Sequence, residues 1–179
     1  AISISPDETR MYVGTGTGVV YVDLGSLVVT TINTGSGCGS ISISPDETIV
    51  LALLFNGTLV VIDATPGSPN FNKVVTTVNT GSGASAVSIS PDEALAYVTS
   101  ADGNVVNVYK IVKSDIQGAS SLVPGPAVTL TLVATIPVGQ SPADIAISPT
   151  GSGLGLVTNA GDGTITIISL APPPLAVEF

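Results

Sequence analysis

The amino-acid sequence predicts an all-β protein made of four copies of one antiparallel four-stranded unit. Three observations lead to this prediction. A short motif ending in Ser-Pro recurs four times, hairpin-turn signals follow it, and β-branched residues alternate with other residues in between. Repeats of about 40–50 residues are typical of β-propellers. We therefore expect a β-propeller built from four four-stranded antiparallel blades, either alone or as part of a larger propeller or assembly.

The repeated motif defines the first strand and the first turn of each blade. It is Ile-Ser-Ile-Ser-Pro-Asp-Glu at Ile2–Glu8 and Ile41–Glu47, and it varies at Val87–Glu93 and Ile145–Gly151. Proline presets φ for a tight turn and aspartate is a common turn residue, so each first strand should end at this point. The spacing divides a single domain, residues 1–179, into repeats at about 1–35, 36–81, 82–139 and 140–179.

The other strands follow in the same order in each repeat. Second strands are expected at Met11–Gly14, Ile49–Leu54, Leu95–Thr99 and Leu154–Thr158. Third strands should follow the hairpin turns, at Val19–Asp23, Leu59–Asp63, Val105–Ile111 and Ile165–Ser169. Fourth strands are expected at Val28–Asn33, Val74–Asn79 and Thr131–Val138. The fourth repeat has no evident outer strand, and no segment has a helical pattern.

A tetrapeptide in the second strands suggests a family. It is Leu156-Val157-Thr158-Asn159 in the fourth repeat, with looser versions at Tyr97–Ser100 and Tyr12–Thr15, and the second repeat departs most with Leu51–Leu54. Together with Ala134–Gly139 and Ile145–Pro149, these residues resemble the YVTN family of β-propeller repeats. The resemblance implies a propeller scaffold that is secreted or surface-associated. Because the family also includes propellers that carry enzyme sites, the resemblance leaves function open.

The composition excludes several classes of function. Only 9% of residues are charged and the net charge is −9, with four cations: Arg10, Lys73, Lys110 and Lys113. Binding to nucleic acid needs clustered cations, so we expect no such partner. Gly, Pro, Ser and Thr interrupt every apolar run, and we expect no membrane span. Histidine is absent, which removes the commonest general base and metal ligand. We expect no catalytic residues and no cofactor.

The acidic turns are the candidate metal site. Asp7, Asp46 and Asp92 are each followed by a glutamate, and equivalent propeller turns should lie on one face, where carboxylates could bind calcium. No Asp-x-Asp-x-Asp loop is present, however, and Pro-Asp is common in ordinary turns. We therefore interpret the three aspartates as turn residues and expect no metal.

Three further features were assigned from local sequence. Asn56-Gly57-Thr58 fits the pattern for N-glycosylation and equally fits a hairpin turn, so Asn56 is a glycosylation candidate. The single Cys38 cannot form an internal disulfide, and we expect a buried thiol. An insertion at residues 110–128 is long enough to recognise a protein or glycan partner.

The ends of the chain suggest self-association. Ala1 begins directly in strand-like sequence, as expected if a leader was removed or the chain is a piece of a longer protein. After Pro172–Pro174, an alternating segment carries Leu175, Val177 and Phe179. In a closed ring this segment could complete the fourth repeat, but we favour an assembly in which it adds as a strand to the sheet edge of a neighbouring copy. A homo-oligomer or polymer formed through edge strands and chain ends is the expected partner arrangement.

Few charges and a high apolar content favour a non-catalytic, extracellular or cell-surface structural or adhesive protein that self-associates, for example into a filament or surface layer. The alternatives are a ligand-binding or enzymatic propeller of the lactonase-like kind, and a fragment of a larger seven-bladed surface protein. Such enzymes need several converging His, Arg or carboxylate groups.

Overall fold

A computed structural model describes residues 1–114, 127–149 and 153–170. Within these ranges the chain forms fifteen strands in four antiparallel sheets and no helix, which confirms the predicted all-β fold and the number of sheets. No helix that could cross a membrane is found in the described residues. Tight turns and Gly-rich segments join the strands, because the β-branched and apolar runs are short and Gly, Pro, Asn and Asp separate them.

The strands of each sheet are hydrogen-bonded in chain order. The first sheet contains β1 (Ile2–Ile4), β2 (Arg10–Thr15), β3 (Gly18–Asp23) and β4 (Val29–Ile32). The second contains β5 (Cys38–Ile43), β6 (Ile49–Leu54), β7 (Thr58–Asp63) and β8 (Val74–Asn79). The third contains β9 (Ala84–Ile89), β10 (Leu95–Ser100), β11 (Val105–Ser114) and β12 (Ala127–Pro137). The fourth contains β13 (Pro142–Ile147), β14 (Leu154–Asn159) and β15 (Thr164–Ser169).

The third sheet differs from the sequence prediction at the insertion. Strand β11 continues past Ile111 to Ser114, and β12 already begins at Ala127, so Ser114 pairs with Ala127 across a long hairpin. The extension forms because Val128 is buried against the second sheet, where the Thr76 hydroxyl also donates to the Val128 carbonyl. The base of the predicted recognition insertion is therefore part of the core, and its residues 115–126 lie outside the described residues.

Each sheet has two faces, which we name by the neighbour in the chain that they meet. The leading face is the face that packs on the following sheet in the first three sheets, and the equivalent face of the fourth sheet has the same name. It carries Tyr12, Val19 and Tyr21 in the first sheet, Leu51, Leu59 and Val61 in the second, Tyr97, Val106 and Val108 in the third, and Leu156, Ile165 and Ile167 in the fourth.

The trailing face is the face that packs on the preceding sheet in the last three sheets, and the equivalent face of the first sheet has the same name. It carries Ile2, Ile4, Met11 and Val13 in the first sheet, Ile41, Val50 and Ala52 in the second, Val87, Ala96 and Val98 in the third, and Ile145 and Val157 in the fourth.

Three hydrophobic clusters join the four sheets. In each cluster the leading face of one sheet packs on the trailing face of the next. The first cluster includes Tyr12 with Val50, the second Leu51 with Val98, and the third Tyr97 with Val157. Strand β6 contributes to two clusters, so every one of its six residues is buried. This explains its unbroken apolar sequence, which shows no alternation.

We expect Leu51→Ala to lower the free energy of unfolding by about 2–5 kcal/mol, because it removes a fully buried side chain between two sheets and leaves a cavity. The control Leu132→Ala, on the exposed side of β12, should change it by no more than about 0.5 kcal/mol. Urea unfolding followed by circular dichroism measures both values. Equal effects of the two variants would contradict the packing described for β6.

Candidate functional site

The Ser-Pro-Asp-Glu turns of the first three sheets have one geometry. The hydroxyls of Ser5, Ser44 and Ser90 donate to the Oδ1 atoms of Asp7, Asp46 and Asp92 at 2.5, 2.6 and 2.5 Å. The same Oδ1 atoms accept hydrogen bonds from the backbone N–H groups of Thr9, Thr48 and Ala94 at 3.0, 3.0 and 3.1 Å. Each aspartate thus holds its own turn together, which is the role that the turn interpretation assigns to it.

Two of the glutamates of these turns, Glu47 and Glu93, reach sideways to the preceding sheet. Glu8, Glu47 and Glu93 have φ values of 59°, 62° and 61°, a left-handed conformation that costs energy for a residue with a side chain. A Glu47 carboxylate oxygen accepts from the backbone N–H of Asp7 at 2.7 Å, and Glu93 accepts in the same way from Asp46. The turns therefore form one row across adjacent sheets. We call these six residues the acidic row: Asp7, Glu8, Asp46, Glu47, Asp92 and Glu93.

Two of the four cations connect the acidic row to neighbouring sheets. The buried Arg10 guanidinium forms an ion pair with Glu47 and donates to the Ala64 carbonyl at 2.6 Å. The Lys113 Nζ lies 2.7 Å from both Asp46 Oδ2 and Glu93 Oε2, and so joins the second and third sheets. Sequence analysis did not assign these roles, because the partners are 20 to 67 residues apart in the chain.

Hydrogen bonding keeps the turn carboxylates ionised. The Ser5 hydroxyl and the Thr9 N–H hold the pKa of Asp7 well below its usual range, and the Ser90 hydroxyl has the same effect on the pKa of Asp92. Burial alone would raise the pKa of Asp46. Hydrogen bonds from Lys113, Ser44 and Thr48 outweigh it and lower that pKa. The lowered pKa values keep the three aspartates anionic well below neutral pH, and Arg10 and Lys113 form ion pairs with members of the row.

The carboxylates do not converge on a common point. No three His, Cys, Asp or Glu side chains in the described part of the chain come together in a way that could hold a metal ion. At Asp7, Asp46 and Asp92, Oδ1 is directed into its own turn. At Asp46 the second oxygen, Oδ2, lies against Lys113. The hydrogen bonds and ion pairs of the acidic row therefore join the turns of successive sheets.

The remaining sequence candidates lie apart from the acidic row. Asn56 is exposed in the β6–β7 hairpin, where its Oδ1 accepts from the Thr58 N–H at 3.2 Å. The next residue, Gly57, has a φ of 77° and its Cα faces the Gly81 carbonyl, so a larger residue would not fit. Cys38 is a buried free thiol as predicted, and burial raises its pKa. The assembly candidates Leu175, Val177 and Phe179 lie outside the described residues.

The two outermost sheet faces are apolar, and no residue in the described part of the chain covers them. Leu156, Ile165 and Ile167 on the leading face of the fourth sheet are 48%, 66% and 67% exposed. A shallow groove on this face is lined mainly by apolar residues, Ala146, Leu154, Leu156 and Ile167 among them. At the other end, Ile2 and Ile4 on the trailing face of the first sheet are 65% and 53% exposed. Contiguous apolar surfaces of this kind are typical of interaction sites.

Comparison with known proteins bears on the fold. No family model matches the chain, and no curated protein matches it. Among solved structures, the chain is similar to hydrazine synthase from Kuenenia stuttgartiensis, with a TM-score of 0.52 and 17% identity. The similarity covers 95% of this chain and 71% of that chain. At this identity it describes the fold alone. The chain is thus an all-β protein of four successive antiparallel sheets, and its resemblance to the YVTN family stays a prediction.

We expect Lys113→Gln to lower the free energy of unfolding by about 1 kcal/mol, because it removes the ion pair with Asp46, which joins the second and third sheets, and the ion pair with Glu93 within the third sheet. Lys110→Gln is the matched control, since it removes the same charge from an exposed site on the same strand, and its effect should stay below about 0.5 kcal/mol. The difference should shrink in roughly 1 M salt, where exposed charges are screened. Urea unfolding at two salt concentrations measures it, and equal losses would argue against the Lys113 contacts.

Acid should destabilise the protein through the acidic row. A carboxylate whose pKa is lowered by folding stabilises the folded state above its unfolded pKa of about 4, and this stabilisation is lost as pH falls toward the folded value. The melting temperature should therefore be nearly constant from about pH 5 to 7 and fall by about 5–10 °C by pH 3. Asp46→Asn should melt lower at pH 7 and lose less on acidification. A variant with the wild-type pH slope would show that Asp46 contributes nothing to it.

Proposed function

We propose that this protein is a non-catalytic structural module of an extracellular or cell-surface assembly, and that it works by associating with further copies of itself. In this proposal its four sheets are four successive blades of a β-propeller. The single observation that carries the proposal is the pair of uncovered apolar faces at the two ends of the row of sheets.

The repeat supports the propeller part of the proposal. The Ser-Pro motifs put equivalent residues on equivalent strands, and each sheet packs face to face on the next through the same positions. Propellers consist of four-stranded antiparallel sheets repeated in this way, typically four to eight of them. Three interfaces among four sheets leave the first and last faces without the neighbour that the repeat pattern requires.

The exposed side chains support association. Side chains equivalent to Leu156 in the repeat, namely Tyr12, Leu51 and Tyr97, are at most 2% exposed, whereas Leu156 is 48% exposed. Burying an apolar side chain of this size is worth about 1.5–3 kcal/mol. The net charge of −9 opposes contact between copies, although Arg10 and Lys113 neutralise part of the acidic row within the chain, so the apolar end faces must supply the association.

The exposed candidates favour an outer surface over an active site. Asn56 lies on an exposed turn, accessible to modification, and the groove on the fourth sheet is lined by aliphatic side chains without the clustered ionisable groups of a catalytic pocket. The chain also contains no histidine. These features support a scaffold more than a lactonase-like propeller.

The proposal predicts that the 179-residue chain associates reversibly in solution. Sedimentation velocity from about 1 to about 100 μM should show a coefficient that rises with concentration toward that of an oligomer. Leu132→Asp adds a charge to an exposed position outside the two end faces and should leave the association unchanged. A wild-type chain that stays monomeric over the whole range would overturn self-association and favour a piece of a larger single-chain propeller.

A further inference from the structure

The two uncovered faces are not alike, and the repeat identifies how they differ. The fourth sheet exposes its leading face, which in the other three sheets packs on the following sheet. The first sheet exposes its trailing face, which in the other three sheets packs on the preceding sheet. The two surfaces are therefore the two complementary halves of the interface that occurs three times inside the chain.

The leading face of the fourth sheet repeats the three buried ones position by position. Leu156 and Ile167 are opposite each other in the register of β14 and β15, as Tyr97 and Val108 are in β10 and β11. The same pairing occurs at Tyr12 with Tyr21 and at Leu51 with Val61. These three earlier pairs are buried, with at most 7% exposure, so the exposed pair occupies positions that contact the next sheet in the other three repeats.

The trailing face of the first sheet repeats the other half. The two isoleucines of the Ile-Ser-Ile motif point to this side, because Ile2 and Ile4 pair with Val13 and Met11. Their equivalents in the later sheets pack against the preceding sheet: Ile41 and Ile43, Val87 and Ile89, and Ile145 and Ile147. In the first sheet no element among residues 1–114, 127–149 and 153–170 covers the same motif.

An independent observation comes from the acidic row. Glu47 and Glu93 each accept a hydrogen bond from the aspartate N–H of the preceding turn. Glu8 has the same left-handed backbone at the equivalent position, yet within the described residues its carboxylate has no hydrogen bond or ion pair. Its position is that of a residue that reaches to a preceding sheet, and the same side of the first sheet carries the uncovered trailing face.

We propose that the partner is a second copy of this chain, bound head to tail, with the leading face of one fourth sheet on the trailing face of the other first sheet. Two copies supply eight sheets, the largest number common in propellers, whereas three would supply twelve. We therefore infer that the pair closes into a ring with two identical interfaces. This inference rests on the proposed function, because it specifies the association proposed above.

Two variants that block opposite faces test the arrangement. Ile4→Asp blocks the trailing face of the first sheet, and Ile167→Asp blocks the leading face of the fourth. A buried unpaired charge should weaken each interface at least about 100-fold, so each variant alone should be monomeric at concentrations where the wild type is dimeric. Mixed in equal amounts, the two should form a 1:1 dimer held by one intact interface, because Ile4→Asp keeps its fourth-sheet face and Ile167→Asp keeps its first-sheet face. This dimer should be weaker than the wild-type ring, whose two interfaces are both intact, and tighter than either variant alone.

Sedimentation equilibrium with one variant fluorescently labelled measures the stoichiometry, and circular dichroism melts establish that each variant is folded. If either aspartate variant does not fold, Ile4→Thr and Ile167→Thr replace the pair, because threonine is polar and keeps the β-branched shape. Leu132→Asp serves as the control and should dimerise as the wild type does.

The outcomes separate the two proposals. A wild type that stays monomeric overturns self-association itself. If the wild type associates but one single variant still dimerises alone, like faces pair with like and the head-to-tail arrangement is wrong. A mixture that associates no more tightly than either variant alone also overturns it. Wild-type particles that grow beyond two copies without a dimer plateau overturn ring closure and indicate a filament.

Discussion

Burial of apolar side chains between successive sheets is the interaction on which the rest of this structure depends. The strands of a four-stranded antiparallel sheet pair with one another through backbone hydrogen bonds, but such a sheet is stable in water only when an apolar face is covered. Here both faces of every sheet are apolar, as β6 shows with six consecutive buried residues. Each sheet therefore needs a neighbour on both faces. This requirement explains the row of packed sheets and the exposed apolar side chains on the first and last faces of the described sheets.

The contacts of the acidic row depend on this packing of the sheets. Face-to-face contact brings the turn of one sheet beside the turn of the next, and the left-handed glutamates then reach the neighbouring backbone N–H group. Arg10 and Lys113 add ion pairs at the same edge. Each such contact is modest alone, but it is directional, whereas apolar packing is not. The row thus favours one lateral register between sheets that apolar contact alone would leave free to slide.

The sequence predicted the strands well and the contacts between sheets poorly, for one physical reason. Strands and turns depend on local chemistry: Ser-Pro-Asp ends a strand, and Asn56-Gly57 turns a hairpin, so their positions can be found by inspection. The long β11–β12 hairpin was missed, because its extension depends on Val128 packing on another sheet. Lys113 was interpreted only as part of an insertion, since its partners are distant in sequence. The turn contacts of Asp7, Asp46 and Asp92 follow from local sequence, because the Ser-Pro-Asp geometry is local.

The position of β6 has a consequence for how the molecule unfolds. In a linear array of repeats, stability is close to a sum of each unit's own contribution and its contacts with neighbours. Among the described residues, the second and third sheets each pack on two neighbouring sheets, and the first and fourth each pack on one. Amide protons of β6 and β10 should therefore exchange only when the whole molecule unfolds. Those of β2 and β14 should exchange through local openings of lower free energy that begin at the end sheets. A second copy seated on both ends would remove these openings, so the ends of the row would become as slow to exchange as its centre.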